Sequence, residues 1–483
     1  MKDLQGRVLL GLRWQAAAKL GSQIISWSVT IFVMRLLGPA DYGLMAMATV
    51  LVGFTGLIAE MGLGSALVQS EQIDAARQRQ VFGLSLLVNS GLYLSLAIAA
   101  PLAVAAFNEP RLLLLILVMG LQLPLAALTV VPESMARREL NFKALGIIEL
   151  VVQTTTVLTT LAAALLGLGV WALVVGQLAQ SAIKSLLLLA HFGTVKPTFS
   201  LRQQKSLLVF GGSLTLNRMV WYFSSQADVF IAGRLLGSHL LGIYSVATHL
   251  ANMPMQKIMS ISNQVAFSAF ARLQDQPAKM SAALLRSLRL ISALSLSLLW
   301  GLAGVAPELV PAMLGDPWRP AIIPLQLIAA VVPIRIISAL LSTALIAAGH
   351  VNDDLKNTLT GAVVLIPGFF IGAYLGGVNG LALAWAICFP IFSLLLMFRA
   401  ASRFKLSVRT LLVQLLYPMM SGLVMLSAII ACRWLLTGAA RPVLLFAEIS
   451  AGAVCYLVTI NWLDRPLLQD FKSLFRSKVA ASD

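Results

Sequence analysis

Several side chains capable of chemistry interrupt long apolar runs in this sequence, and their spacing places them on shared helical faces. Lys19, Ser22, Gln23, Ser26 and Thr30 follow the i, i+3, i+4, i+7, i+11 pattern of a single face. A second set holds Asn217, Trp221, Ser224 and Asp228 on one face and Arg218, Tyr222 and Ser225 on a neighbouring one. Further along come Asn252, Gln256, Lys257, Ser260 and Asn263, then Arg335 two residues after Pro333. Glu60 is the acidic counterpart in an early run, near the repeat-equivalent position of Lys257. In hydrocarbon each such charge costs about 2.5–3.5 kcal/mol on insertion scales, so it faces a cavity or a partner. A cavity with more cations than anions suits a phosphate or pyrophosphate, which arginine binds in two-pronged fashion. Trp221 and Tyr222 could stack on a sugar ring. Each of these residues could equally serve only as interhelical glue, and that alternative stays open here.

Enzyme chemistry finds little support. No GxxxxGK[ST] phosphate loop, HExxH or GxSxG motif is present. His191, His239, His249 and His350 are scattered, and Cys388, Cys432 and Cys455 lie in apolar runs without ligand spacing. No metal or organic cofactor is expected.

The elements that position these residues are membrane helices. Of 483 residues, 59% are hydrophobic and 11% charged, against about 25% charged in soluble domains. Apolar runs of twenty or more residues match the ~30 Å of hydrocarbon a helix must cross. Fourteen such runs are expected, beginning near residue 14 and ending near 463. The net charge of +16 is no nucleic-acid footprint, because the Lys and Arg fall in short connectors. One set of connectors carries Arg77 and Arg79; Arg137, Arg138 and Lys143; Lys196, Arg202 and Lys205; Arg272, Lys279, Arg286 and Arg289; Lys356; and Arg403, Lys405 and Arg409. The alternate set, at 37–41, 108–110, 167–169, 236–240 and 376–380, is nearly free of positive charge. This alternation predicts both termini in the cytoplasm. The N-terminal stretch lacks a compact apolar core followed by a small-residue cleavage site and is expected to be retained.

The chain also repeats itself. Arg35-Leu-Leu-Gly-Pro-Ala-Asp-Tyr-Gly43 echoes Arg234-Leu-Leu-Gly-Ser-His-Leu-Leu-Gly242. Weaker echoes pair 167–176 with 376–385 and Ser200-Leu-Arg202 with Ser407-Val-Arg409. These predict two parallel six-helix repeats, since an even number of helices returns the chain to the same side. The expected layout is an N-terminal lobe over 1–195, a linker at 196–206, a C-terminal lobe over 207–400, two extra helices over 401–465 and a cytoplasmic tail from 466.

The stretches 33–69 and 217–247, with their R-LLG-x4-G segments, resemble the Wzx-type polysaccharide flippases. These form the polysaccharide-transporter branch of the multidrug/oligosaccharidyl-lipid/polysaccharide superfamily, and the similarity runs over about 1–410. The resemblance implies export of undecaprenyl-pyrophosphate-linked oligosaccharide across a bacterial inner membrane by alternating access through a cationic cavity between the lobes. Membrane lipids, a glycan polymerase and export machinery are the partners it implies. It offers no catalytic motif to carry over. A coupling Na⁺ or H⁺, or the membrane potential, would drive the export. The competing readings are an ion-coupled drug antiporter of the same superfamily, with Asp228 and Glu60 as its candidate ion-coupling residues, and a membrane glycan polymerase or ligase.

Overall fold

Every regular element is a helix, and no strand occurs among the residues described in the computed structural model, which are 26–59, 64, 67, 74–193, 195–199, 205–274 and 276–467. After the short apolar helix Ser26–Leu36 come Pro39–Ala59, Ala75–Phe107, a bent pair Leu112–Ala127 and Val130–Arg138, Phe142–Leu165 and Val170–Phe192. The remaining elements are Lys205–Arg272, Pro277–Met313, the 3₁₀ turn Asp316–Ala321, Ile322–Ala347, Val351–Arg403, Val408–Leu435 and Arg441–Leu463. Among the described residues, ten helices are long and apolar enough to cross a membrane, or eleven with the bent pair taken as one span. The chain is a multi-pass, all-helical membrane protein. Its lipid-facing surface agrees, since Ile98, Leu102, Val363 and Phe446 all lie exposed. Trp434 and Trp462 stand exposed near opposite ends of the last helix pair, where amphipathic rings favour the membrane–water boundary.

Breaks in these helices have local causes. Two of the longest runs are each a pair of helices joined at glycine. Gly237 (φ 78°, ψ 177°) divides Lys205–Arg272 into 205–236 and 238–272, and Gly377 (φ 57°, ψ −135°) divides Val351–Arg403. Both conformations are inaccessible to most L side chains. The 42° bend between Ala127 and Val130 follows from proline. Pro132 cannot donate to Leu128, and Pro124 likewise cannot donate to Gly120, where the preceding helical stretch ends. Pro254, Pro333, Pro367, Pro390 and Pro418 sit inside helices that run on through them. Proline alone does not break a helix whose neighbours hold it.

Two compact units emerge, Met1–Gly242 and Ile243–Asp483. In the first, the connectors free of positive charge gather together. Asp41 accepts from the backbone N–H of Val170 at 3.0 Å, and Ser238 donates to Glu109 at 3.4 Å. The connectors bearing Arg79 and Lys196 meet separately, through Thr198 N–H to the Arg79 carbonyl at 3.0 Å. In the second unit the Lys/Arg-rich connectors also gather. Arg403 pairs with Asp353 at 2.6 Å, Ser281 donates to the Phe404 carbonyl at 3.0 Å, and Arg289 pairs with Asp464.

The repeated glycines meet inside the first unit, and they do so reciprocally. A Cβ on Gly43 would lie 1.7 Å from the Ser238 carbonyl oxygen, and one on Gly242 would lie 1.7 Å from that of Pro39. Ser238 and Gly242 are the repeat counterparts of Pro39 and Gly43, so the contact is the same seen from either side. The second echo shows in the backbone too, one register away from the sequence match. Gly169 (φ 54°, ψ −132°) and Gly377 (φ 57°, ψ −135°) share one conformation just before a helix begins.

Candidate functional site

Arg335 lies near the middle of Ile322–Ala347, where burial of a cation needs local support. That support is aromatic and polar. Its guanidinium carbon stands 4.4 Å from the centroid of the Trp385 ring, within range for a cation–π attraction. Its Nη1 reaches the Asn252 side-chain oxygen at 3.5 Å, the weak end of a hydrogen bond. Trp385 is itself fixed, because its indole N–H donates to the Tyr244 hydroxyl at 2.8 Å. Its ring packs on Phe369 at 4.8 Å and Phe389 at 5.7 Å between centroids. Tyr244 and Phe369 are fully buried, and Trp385 and Phe389 are nearly so, which shields this bed from solvent.

The same face of the Arg335 helix carries a polar seam. Ser338 shares a 2.8 Å hydrogen bond with Ser393, and Ser342 donates to Asp354. Residues 335, 338 and 342 follow the i, i+3, i+7 spacing of one helical face. The seam continues into Arg399, which donates to Asn357 at 2.6 Å and Thr360 at 3.0 Å. It ends at the Asp353–Arg403 pair. Stacking uses the face of a guanidinium and hydrogen bonding uses its in-plane N–H groups, so a stacked arginine is suited to holding a phosphate oxyanion.

The other sequence candidates fare differently. Lys19 and Glu60 fall outside the described residues. Asn217, Arg218 and Trp221 lie on the backbone of the 205–236 helix and Lys257 on that of 238–272, and their side chains also fall outside the description. Tyr222 is engaged in packing: its hydroxyl donates to the Val50 carbonyl at 2.9 Å, and its ring sits 6.1 Å from Phe54. Asp228 is 4% exposed, and one carboxylate oxygen accepts from the Val229 N–H at 2.8 Å. Ser26, the described part of the first stripe together with Thr30, accepts from Gln153 at 2.9 Å. Arg335 and Asn252 are thus the pair from the sequence reading that the structure brings together. Trp385 and Tyr244 were not singled out, since an aromatic residue in an apolar run carries no signal of what it touches.

The sequence profile of a family described as "Polysaccharide biosynthesis protein" matches residues 32–323. The chain is similar to the lipopolysaccharide biosynthesis protein WzxC of Escherichia coli (strain K12), 25% identical over 80% of this chain and 79% of that one. It is also similar to the succinoglycan biosynthesis transport protein ExoT of Rhizobium meliloti (strain 1021), 26% identical over 65% of this chain and 64% of that one. Among solved structures, the lipid II flippase MurJ in its inward closed conformation shares the fold. The TM-score is 0.74 at 14% identity, covering 94% of this chain and 99% of that one.

Proposed function

Because the chain belongs to the polysaccharide biosynthesis protein family, we propose that it is a flippase carrying undecaprenyl-pyrophosphate-linked oligosaccharide across the bacterial inner membrane. The family match is the observation that carries this reading. It is supported by relatives named for polysaccharide biosynthesis and transport and by a fold shared with a lipid II flippase. The protein is a transporter and not an enzyme. In this proposal Arg335, held over Trp385, contacts the pyrophosphate as the substrate passes. Arg218, Lys257 and Lys19 would supply further positive charge, with Asn217, Trp221 and Tyr222 lining the path. Access would alternate between the two membrane faces, driven by the membrane potential or by Na⁺ or H⁺ acting at Asp228 or Glu60. The segregation of Lys/Arg-rich connectors within each unit favours cytoplasmic termini. A glycan polymerase and the export machinery would take the product onward.

The test is export per molecule of correctly inserted protein in cells lacking the native copy. Losing one charge-assisted contact costs about 1.5–3 kcal/mol, or roughly tenfold or more in binding. Arg335→Ala should therefore cut export at least tenfold with insertion unchanged, and Arg335→Lys should fall between. Normal export from Arg335→Ala would remove Arg335 from the path. Loss of export in step with loss of inserted protein would mark Arg335 as a packing residue.

A further inference from the structure

Three helices of the second unit share a buried ionic cluster that the substrate path above does not use. Arg433, in the last turn of Val408–Leu435, donates to Glu308 at 2.6 Å and to Glu448 at 3.0 Å. The same guanidinium also donates to the Gly304 carbonyl at 2.7 Å. Glu308 belongs to Pro277–Met313 and Glu448 to Arg441–Leu463. The Glu448 side chain is wholly buried, that of Glu308 12% exposed and that of Arg433 28% exposed.

Charge and hydrogen bonding both leave this cluster one proton short. Two carboxylates against one guanidinium give a net charge of −1, and other charges do little to balance it. Arg441, on the same helix as Glu448, lies seven residues away, about 10 Å along the axis. Asp316 and Arg319, in the 3₁₀ turn packed on the Glu308 helix, pair with each other at 2.8 Å. Below the cluster, the same three helices, with Pro254 and Leu467, line a half-open apolar cavity of about 650 Å³ whose walls include Val305, Leu309, Met425, Ile429 and Gly452. Water would find few partners there. The Glu448 oxygen Oε2 is buried and has no donor within reach. Glu308 and Glu448 nevertheless meet on one guanidinium, at 2.6 Å and 3.0 Å. Two carboxylates are both acceptors, so they can share a hydrogen bond only when one carries a proton.

We propose that Glu308, Arg433 and Glu448 form a proton-binding site, in which one proton is shared between the two carboxyl groups. Binding adds H⁺ to a carboxylate oxygen and makes the cluster neutral, with no other bond changed. Release leaves two negative charges facing each other and pushes Arg441–Leu463 away from Pro277–Met313. The cluster is thus a proton-responsive joint among these three helices. It does not depend on the identity of the substrate.

Infrared spectroscopy of the full-length protein in lipid vesicles at neutral pH, without substrate, tests this. The native protein should show a protonated-carboxyl C=O band that shifts on exchange from H₂O to D₂O. Glu448→Gln should remove this band by removing the proton-bearing group. Glu308→Gln should remove it as well, because a single carboxylate is balanced by Arg433 and ionises. Glu149→Gln, at an exposed position, should leave it intact. Absence of the band from the native protein, or its survival in either cluster variant, would overturn the proposal. Should Glu448→Gln fail to insert, Glu308→Gln alone decides. Because no substrate is present, failure here leaves the flippase reading untouched.

Discussion

Replacing Gly43 with alanine tests the reciprocal helix contact, and the structure sets the size of the effect. The new Cβ would sit 1.7 Å from the Ser238 carbonyl oxygen, 2.6 Å from its carbon and 3.0 Å from the Gly242 nitrogen. Comfortable carbon contacts begin at about 3.5 Å, so the helices must part by roughly 1.5–2 Å. The obstacle is backbone, which cannot swing aside as a side chain would. Overpacking typically costs about 1–3 kcal/mol, and the upper end applies where backbone meets backbone. For a unit of this size that corresponds to a fall of roughly 5–10 °C in Tm. Gly242→Ala should cost as much, because its Cβ meets the Pro39 carbonyl at the same 1.7 Å. Once one substitution has parted the helices, the second finds part of the space it needs. The double variant should therefore lose clearly less than the sum of the single losses, as expected for residues in one contact. Thermal unfolding of purified protein in detergent reads all three variants. Native-like melting of Gly43→Ala, or additive losses in the double variant, would refute the reasoning.

Asp41 accepts from Gly38 N–H at 3.1 Å and from Val170 N–H at 3.0 Å, so it ties two connectors and caps a second helix. Asp41→Ala should cost about 1 kcal/mol, as loss of an N-cap does, and Asp41→Asn should retain part of it in the same melting assay. The Arg111 guanidinium, hydrogen-bonded to Glu109, holds that carboxyl below the usual glutamate range. The stability this lends is complete above the ordinary glutamate range and is lost as pH falls through the lowered value. A melting series into acid should show that loss in the native protein and a shallower slope in Glu109→Gln; equal slopes would contradict it.

Much of this architecture was legible from spacing. The R-LLG-x4-G echo marked Gly43 and Gly242, although nothing in the sequence said that the two would face each other. The charge pattern of the connectors anticipated which of them meet, because Lys and Arg are selected by membrane side and not by fold detail. Gly237 was visible as part of a loop-like LGSHL, and the structure makes it a single-residue break between two helices. The site was less legible. Arg335 stood out because a cation in an apolar run is expensive, and Asn252 because it recurred on a polar face. Trp385 and Tyr244 are indistinguishable in sequence from core aromatics. The cluster of Glu308, Arg433 and Glu448 gathers residues 15 and 125 positions apart, a separation that helical periodicity does not bridge. Tyr222, read as a stacking platform, spends its hydroxyl on Val50, a choice that only the neighbouring helix dictates.

The central claim is translocation itself, and vesicles containing only the purified protein test it most directly. A labelled undecaprenyl-pyrophosphate oligosaccharide placed in the outer leaflet should become protected from an external glycan-degrading enzyme. Protection should accumulate faster than in protein-free vesicles and at least tenfold more slowly with Arg335→Ala than with the native protein. Protection no faster than in protein-free vesicles, across an imposed membrane potential and with Na⁺ or H⁺ gradients of either sign, would contradict the account.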